Sequence, residues 1–317
     1  MQVKIYKKLR QAVVLGLLSI VLLSSCTTKK QVIPADTPLN GTINISVDES
    51  FKPVIDEQIK MYEGSYPGTK INVQYKPEAE CLKDLLNDSA TRLVIVTRGL
   101  NSKEEKYFED SLDYIPRWDK IATDAIAIVV NANSPDTVFS IKRLQDQLSG
   151  KMANKEKIIF DGLSATSTVR FAIDSILKGK KFDTGVVKAV KNSTEVLNYV
   201  ASDINAIGMV GISWIGNPED TAQVNMLKRV KIAYVECSIC SDSPYVKPSQ
   251  LSILTHRYPL VRGLYYILKE NYSGLGAGFV DFMTFERGQL IFKRAYLGSA
   301  KIGFAVRSIK INQKIIK

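Results

Sequence analysis

From Thr42 onward the apolar residues of this chain switch repeatedly between two spacings, and that alternation restricts the fold more than any other feature. Thr42 to Val47 alternates apolar and polar side chains, as a half-buried strand does. A helical stripe of Val54, Ile55, Ile59 and Tyr62 follows, opened by Ser50 as a candidate cap and closed by Tyr66-Pro67-Gly68. Ile71, Val73 and Tyr75 alternate again, and Cys81, Leu82, Leu85 and Leu86 stripe a helix from Glu78 to Asn87. Leu93 to Val96 is an unbroken apolar run, the pattern of a strand buried on both faces. Ser102 and Glu105 have capping-box spacing before another helix. Ala125 to Asn131, AIAIVVN, is the strongest strand signal in the chain. The pattern then repeats: helix from Ser140, strand at Ile158, helices from about Thr168 and from Ser193, strand from Ala206 to Val210. Strands alternating with helices predict an α/β fold whose parallel sheets are flanked on both sides. No fixed-period repeat or low-complexity block interrupts it.

The N-terminus predicts export. Lys4, Lys7, Lys8 and Arg10 form a basic segment, and Ala12 to Leu23 is almost wholly apolar but too short to span a bilayer stably. It ends in Leu23-Ser24-Ser25-Cys26, which resembles a bacterial lipobox with Cys26 as the lipidated first residue of the mature protein. An ordinary secretory signal is the alternative. The polar residues from Thr27 to about Asn40 read as a tether. The formal net charge of +11 is partly that of the signal segment, and Lys301, Arg307, Lys310, Lys314 and Lys317 make the end of the chain basic. On an exported protein such a tail meets membrane or cell-surface anions rather than nucleic acid, or is simply a solvated end. Cys237 and Cys240 form a lone C-x-x-C, open to a local disulfide, two free thiols, or metal or redox chemistry; with His256 the only histidine, a four-ligand zinc site cannot be completed. A hydrolase is disfavoured as well, because G-x-S-x-G and H-E-x-x-H are both missing, so no catalytic residue and no cofactor is expected.

Several phrases, in order, carry a resemblance. FKPVIDEQIKMYEGSYPGTKINVQY, LVIVTRGLNSKE, DAIAIVVNANSP, EVLNYVASDINAIGMVGISW, and YPLVRGLYYILK followed by FVDFMTFERGQLIFKRAY resemble the periplasmic phosphate-binding proteins of ABC importers, over roughly Gly41 to Leu297. The resemblance implies a two-lobed binding-protein fold (type II-like), each lobe a central sheet flanked by helices, with the ligand in the cleft and a hinge between. Residues 1–25 would be the signal peptide and 26–40 the tether. Lobe one would take 41–128 and 245–300, lobe two 129–244, and the basic tail 301–317.

In that family the oxyanion is held by hydroxyls, by N–H groups at helix starts and by an arginine. Matched by position, the resemblance implies Ser50 and Phe51 at the first loop, Thr97 and Arg98 after the second strand, and Thr166, Ser167 and Thr168 on the loop before a helix. Arg170 would stand in for an arginine whose usual place falls at Gly162, and Glu78 would occupy a position that is a serine in the family. A carboxylate beside phosphate repels it unless one of the two carries a proton between them. Structural roles compete with each assignment: helix capping for Ser50 and for Thr166 to Thr168, a surface ion pair with Glu104 or Glu105 for Arg98, and dipole complementation for Glu78. The implied partners are phosphate or a similar oxyanion, an ABC permease and the membrane through the lipid, with the protein a monomer. A surface lipoprotein that kept the fold for adhesion or structure is the alternative.

Overall fold

The structure, a computed structural model, describes residues 36–152, 156–162, 164–241 and 244–300. The expected signal peptide, Cys26 and the basic tail lie outside them. Strand β1 (Gly41–Asp48) is followed by a 3-10 turn (Glu49–Phe51), helix α1 (Lys52–Ser65), β2 (Thr69–Lys76), α2 (Glu78–Asn87), β3 (Thr91–Val96) and α3 (Ser102–Leu112). Then come β4 (Arg117–Asn131), β5 (Val138–Phe139), α4 (Ile141–Leu148), β6 (Lys157–Phe160), α5 (Ser167–Phe171), β7 (Val187–Ala189), α6 (Ser193–Ser202) and β8 (Ala206–Gly211). The rest is α7 (Thr221–Met226), β9 (Val230–Ile232), β10 (Tyr234–Glu236), β11 (Tyr245–Val246), α8 (Gln250–Leu254), β12 (Val261–Leu268), α9 (Leu275–Thr284), α10 (Glu286–Arg294) and β13 (Gly298–Ser299).

Most strands join one curled sheet in the order β2-β1-β3-β12-β4-β8-β6-β7, with β9 and β13 also on β4. The parallel expectation holds for β1 with β2 and β3, and for β6 with β7 and β8. It fails at the centre, where β12 runs antiparallel to both β3 and β4, and β4 antiparallel to β8. At this centre lies the long strand β4. Its first part, Arg117 to Ala125, pairs with β12, and its second, Ile126 to Val130, pairs with β8. One strand thus runs through both halves of the fold.

The apolar run of β3 behaves as its pattern requires. Leu93 and Ile95 point into the larger core with Ile43, Ile45 and Phe51, while Val94 and Val96 join Cys81, Leu85 and Phe108 beneath α2 and α3 on the other face. Cys81 is buried and free. Cys237 and Cys240 are joined by a disulfide, which settles the alternatives left open for that pair. Two caps differ from expectation. The capping box of α3 is Asn101 with Glu104, one residue ahead of the expected pair, and Ser50 lies inside the 3-10 turn, whose N-cap is Asp48 accepting from Ser50 N–H.

Asp36, within the stretch expected to be tether, is packed against the body. Its buried carboxylate accepts from the Leu275 N–H (2.7 Å), the Tyr272 hydroxyl (3.0 Å) and Arg92 (3.1 Å at Nη1). Glu270, also ion-paired to Arg92, accepts from the N–H groups of Gly276 and Ala277 at the start of α9. Among the described residues no helix is long and apolar enough to cross a membrane.

Candidate functional site

Where β4 passes from one half of the sheet to the other, Asp124 and Arg262 face each other directly across the β4–β12 ladder. Arg262 Nε donates to Asp124 Oδ2 at 2.7 Å, and both side chains are almost fully buried. An arginine taken out of water keeps its charge only if carboxylates compensate it. Here Asp124, Asp48 and Asp161 do so, and they hold its pKa above the ordinary arginine value against the opposing pull of burial. Arg262 also stacks over the Phe51 ring, with Cζ 5.0 Å from the centroid. Its Nη1 donates to Ser167 Oγ at 2.8 Å, whereas its Nη2 has no partner among the described residues. Gly211 permits this crowding, since a Cβ there would stand 3.0 Å from the Ser50 carbonyl oxygen and 3.4 Å from Arg262 Nη2.

The expected hydroxyls converge on the same point. Ser50 Oγ lies 3.3 Å from Ser167 Oγ and 3.5 Å from Thr168 Oγ1, all three buried. Thr168 donates to Asp161 Oδ2 at 3.4 Å, and Thr166 donates to Asp161 Oδ1 at 2.9 Å while accepting from the Val169 N–H as the N-cap of α5. Two of the hydroxyl protons expected to face an anion therefore face a carboxylate. Asp48 accepts from the Ser50 N–H at 3.0 Å through Oδ1, and its Oδ2 is buried without a partner. Burial pushes the Asp48 carboxyl up to about 6, against the pull of the Arg262 charge. It raises Asp124 and Asp161 too.

Glu78, Thr97 and Arg170 form a second group. Arg170 Nε donates to Glu78 Oε2 at 2.7 Å, Nη2 reaches Glu78 Oε1 at 3.2 Å, and Glu78 Oε1 accepts the Thr97 N–H at 2.8 Å and its hydroxyl. Although burial alone would raise it, the Arg170 and Thr97 contacts bring Glu78 below the usual glutamate value. Both oxygens of Glu78 are thus engaged. Arg98 is not brought to either group: its guanidinium grips Glu104 in two 2.7 Å hydrogen bonds, the surface pairing that competed with ligation. On the other flank Glu49 accepts the Ser193 hydroxyl at 2.8 Å and its N–H at 3.2 Å, and burial pushes its carboxyl up to about 7. Beside these groups opens a cleft of about 370 Å³, with Asp48, Asp161 and Thr166 on its wall. No cluster able to hold a metal ion occurs among the described residues.

Sequence reasoning missed Arg262, Asp124, Asp161 and Asp48. The signal for Arg262 is a lone charge inside the apolar strand YPLVRGLYYILK, and for Asp124 a lone carboxylate just ahead of AIAIVVN.

The model of a PBP superfamily domain matches residues 33–287. The chain belongs to the PBP superfamily. Within it, this PBP-type chain is PstS-like: it is 26% identical over 280 residues to the phosphate-binding protein PstS of Pseudomonas aeruginosa, covering 81% of this chain and 80% of that one. Solved structures share the two-lobed fold. One is a putative phosphate ABC transporter substrate-binding protein with bound phosphate from Clostridium perfringens, with a TM-score of 0.68, 19% identity, and coverage of 82% of this chain and all of that one. Another is an ABC-type phosphate transport receptor from Vibrio cholerae, at TM-score 0.57, 18% identity and the same coverage. Regulatory domains such as that of OxyR2 from Vibrio vulnificus also share the fold, at 0.51 and 8% identity over 77% of this chain and 95% of that one.

Proposed function

We propose that this chain is an extracytoplasmic solute-binding protein that captures phosphate or a similar oxyanion between its lobes and passes it to an ABC importer. One observation carries the reading: a fully buried arginine with a free N–H (Arg262 Nη2) shares a cluster with a buried carboxylate oxygen that lacks a donor (Asp48 Oδ2). Unpaired buried polar groups are costly, so a ligand that satisfies both gains what their isolation loses. A protonated phosphate accepts from the arginine and donates its own proton to the carboxylate. Sulfate has no proton to donate at neutral pH. The carboxylate that reads the proton is then Asp48 rather than Glu78, whose oxygens are taken by Arg170 and Thr97. Ser50, Phe51, Ser167 and Thr168 line this ligand site, with Arg262 in the place expected of Arg98 or Arg170.

The PstS relative and the phosphate-binding structures support the same reading. It involves no catalytic step and no cofactor. The lobe boundary, expected at 128/129 and 244/245, is better drawn between Ala125 and Ile126 on β4, where the pairing changes from β12 to β8, and near Leu260 on the return, where the Ile126 N–H donates to the Leu260 carbonyl at 2.8 Å. The two neighbouring crossings form the hinge, because domain closure is absorbed by a few residues at element ends. The lipobox-like LSSC supports an anchor at Cys26; Cys26→Ser should then move the protein out of the membrane fraction, and unchanged fractionation would refute it.

Calorimetric titration tests the ligand reading. Phosphate should bind and sulfate should not, and Asp48→Asn should weaken phosphate about tenfold to a hundredfold, the worth of a hydrogen bond to a charged group at roughly 1.5–3 kcal/mol. The same change should narrow the gap to sulfate. Absence of heat with any oxyanion from folded protein would sink the reading.

A further inference from the structure

The hydroxyl cluster is packed tightly, oxygen against oxygen, yet the cleft beside it keeps about 370 Å³ of space in this lobe arrangement. At ~30 Å³ per water that is room for roughly a dozen waters, far more than a five-atom oxyanion fills and within the range of small organic ligands. The walls come from both lobes. Asp48, Glu49, Lys52 and Tyr75 stand on one side, Lys191 and Trp214 on the other. They are chemically mixed in a way a bare ion does not need. Two aromatic faces offer apolar contact. Trp214 Nε1 is buried without an acceptor and Asp48 Oδ2 is buried without a donor, both on residues of the wall. The exposed Lys191 ammonium has no ion pair among the described residues, while Lys52 is held by Asp56 at 2.7 Å over the Tyr75 ring.

We propose that the oxyanion taken by this site is the phosphoryl group of a small organic molecule, a phosphate monoester or a phosphonate with a short polar substituent. The phosphoryl group, bound as its singly protonated monoanion so that it still donates to Asp48, sits at the Asp48–Arg262 end, and the substituent lies along the cleft between Tyr75 and Trp214 and accepts from the indole N–H. This assignment rests on the oxyanion reading above and narrows it. The volume accommodates a substituent of this size.

Titration calorimetry on the purified protein with inorganic phosphate, glycerol 3-phosphate and 2-hydroxyethylphosphonate tests it. At least one organic probe should bind tenfold or more tightly than inorganic phosphate. Inorganic phosphate binding as well as or better than both would overturn the inference and leave the oxyanion reading standing, whereas no binding by any of the three would end both. Trp214→Phe, which removes the N–H and keeps a ring, should cut the ratio of the inorganic to the organic Kd by threefold or more. Lys191→Gln, a surface change that leaves the core untouched, should cut it in the same direction. Ratios unchanged in both variants would overturn the placement of the substituent in this cleft.

Discussion

A carboxylate moved out of water resists ionisation, and the residues around this cleft carry that cost openly. Burial raises Glu49 to about 7 and Asp48 to about 6, both above their usual values. The folded protein therefore holds protons, between about pH 4.5 and 7, that the unfolded chain has already released. Stability from these groups is greatest at the acid end and falls as pH rises through the folded values. Glu78, Glu104 and Asp36 are shifted downward, so their contribution is lost only on going below their ordinary range near pH 4. The melting temperature of the ligand-free protein should thus fall from pH 5 to pH 8. Glu49→Gln keeps an acceptor for Ser193 and has no charge to bury, so it should flatten much of that slope; an unaltered slope in thermal melts would clear Glu49 of the effect. At this scale the sequence was only half legible. Ser50, Ser167 and Thr168, implied by the resemblance, stand on loops before helices, a local signal, and the structure brings their hydroxyls together. Arg262 was missed, because its meaning lies in Asp124, a partner 138 residues away that only strand register places opposite it.

Among the elements, α2 and α5 fall in different lobes of the proposed division and are tied together by the Glu78–Arg170 pair and by the Ala79 N–H donating to the Ala165 carbonyl at 3.1 Å. Glu78 is 3% exposed, and removing Arg170 would strand its charge. The Arg170 side chain is 40% exposed, so the loss should stay below the about 3–5 kcal/mol seen when fully buried pairs are broken. We expect Arg170→Gln and Glu78→Gln each to lower stability in urea titration, and the double variant to lose less than their sum, since the two act through one contact. Strict additivity would show that the pair holds nothing. The helices themselves were well announced: α2 spans the expected Glu78–Asn87 because its apolar stripe is clean and Pro77 precedes it. The role of Glu78 is not legible for the same local reason, since a charge at a helix start looks alike whether it faces an anion or, as Glu78 does here, a distant arginine.

For the whole molecule, β4 is the decisive element and the least legible one. Sequence patterning predicts only Ala125–Asn131, because Arg117, Asp119, Lys120 and Asp124 interrupt the apolar residues in the first part of the strand. Since neither half of the sheet can come apart without exposing β4 in the other, heat should unfold the body in one calorimetric transition; two resolved peaks would show the halves to be independent. The clamp at Asp36 has a mechanical consequence. Force entering along the backbone from residue 35 meets Arg92 on β3 and the start of α9 before it can reach β1 at Gly41. The load is shared by a central strand and a helix, so a pull along the backbone at Asp36 strains this side-chain knot before it reaches the first strand.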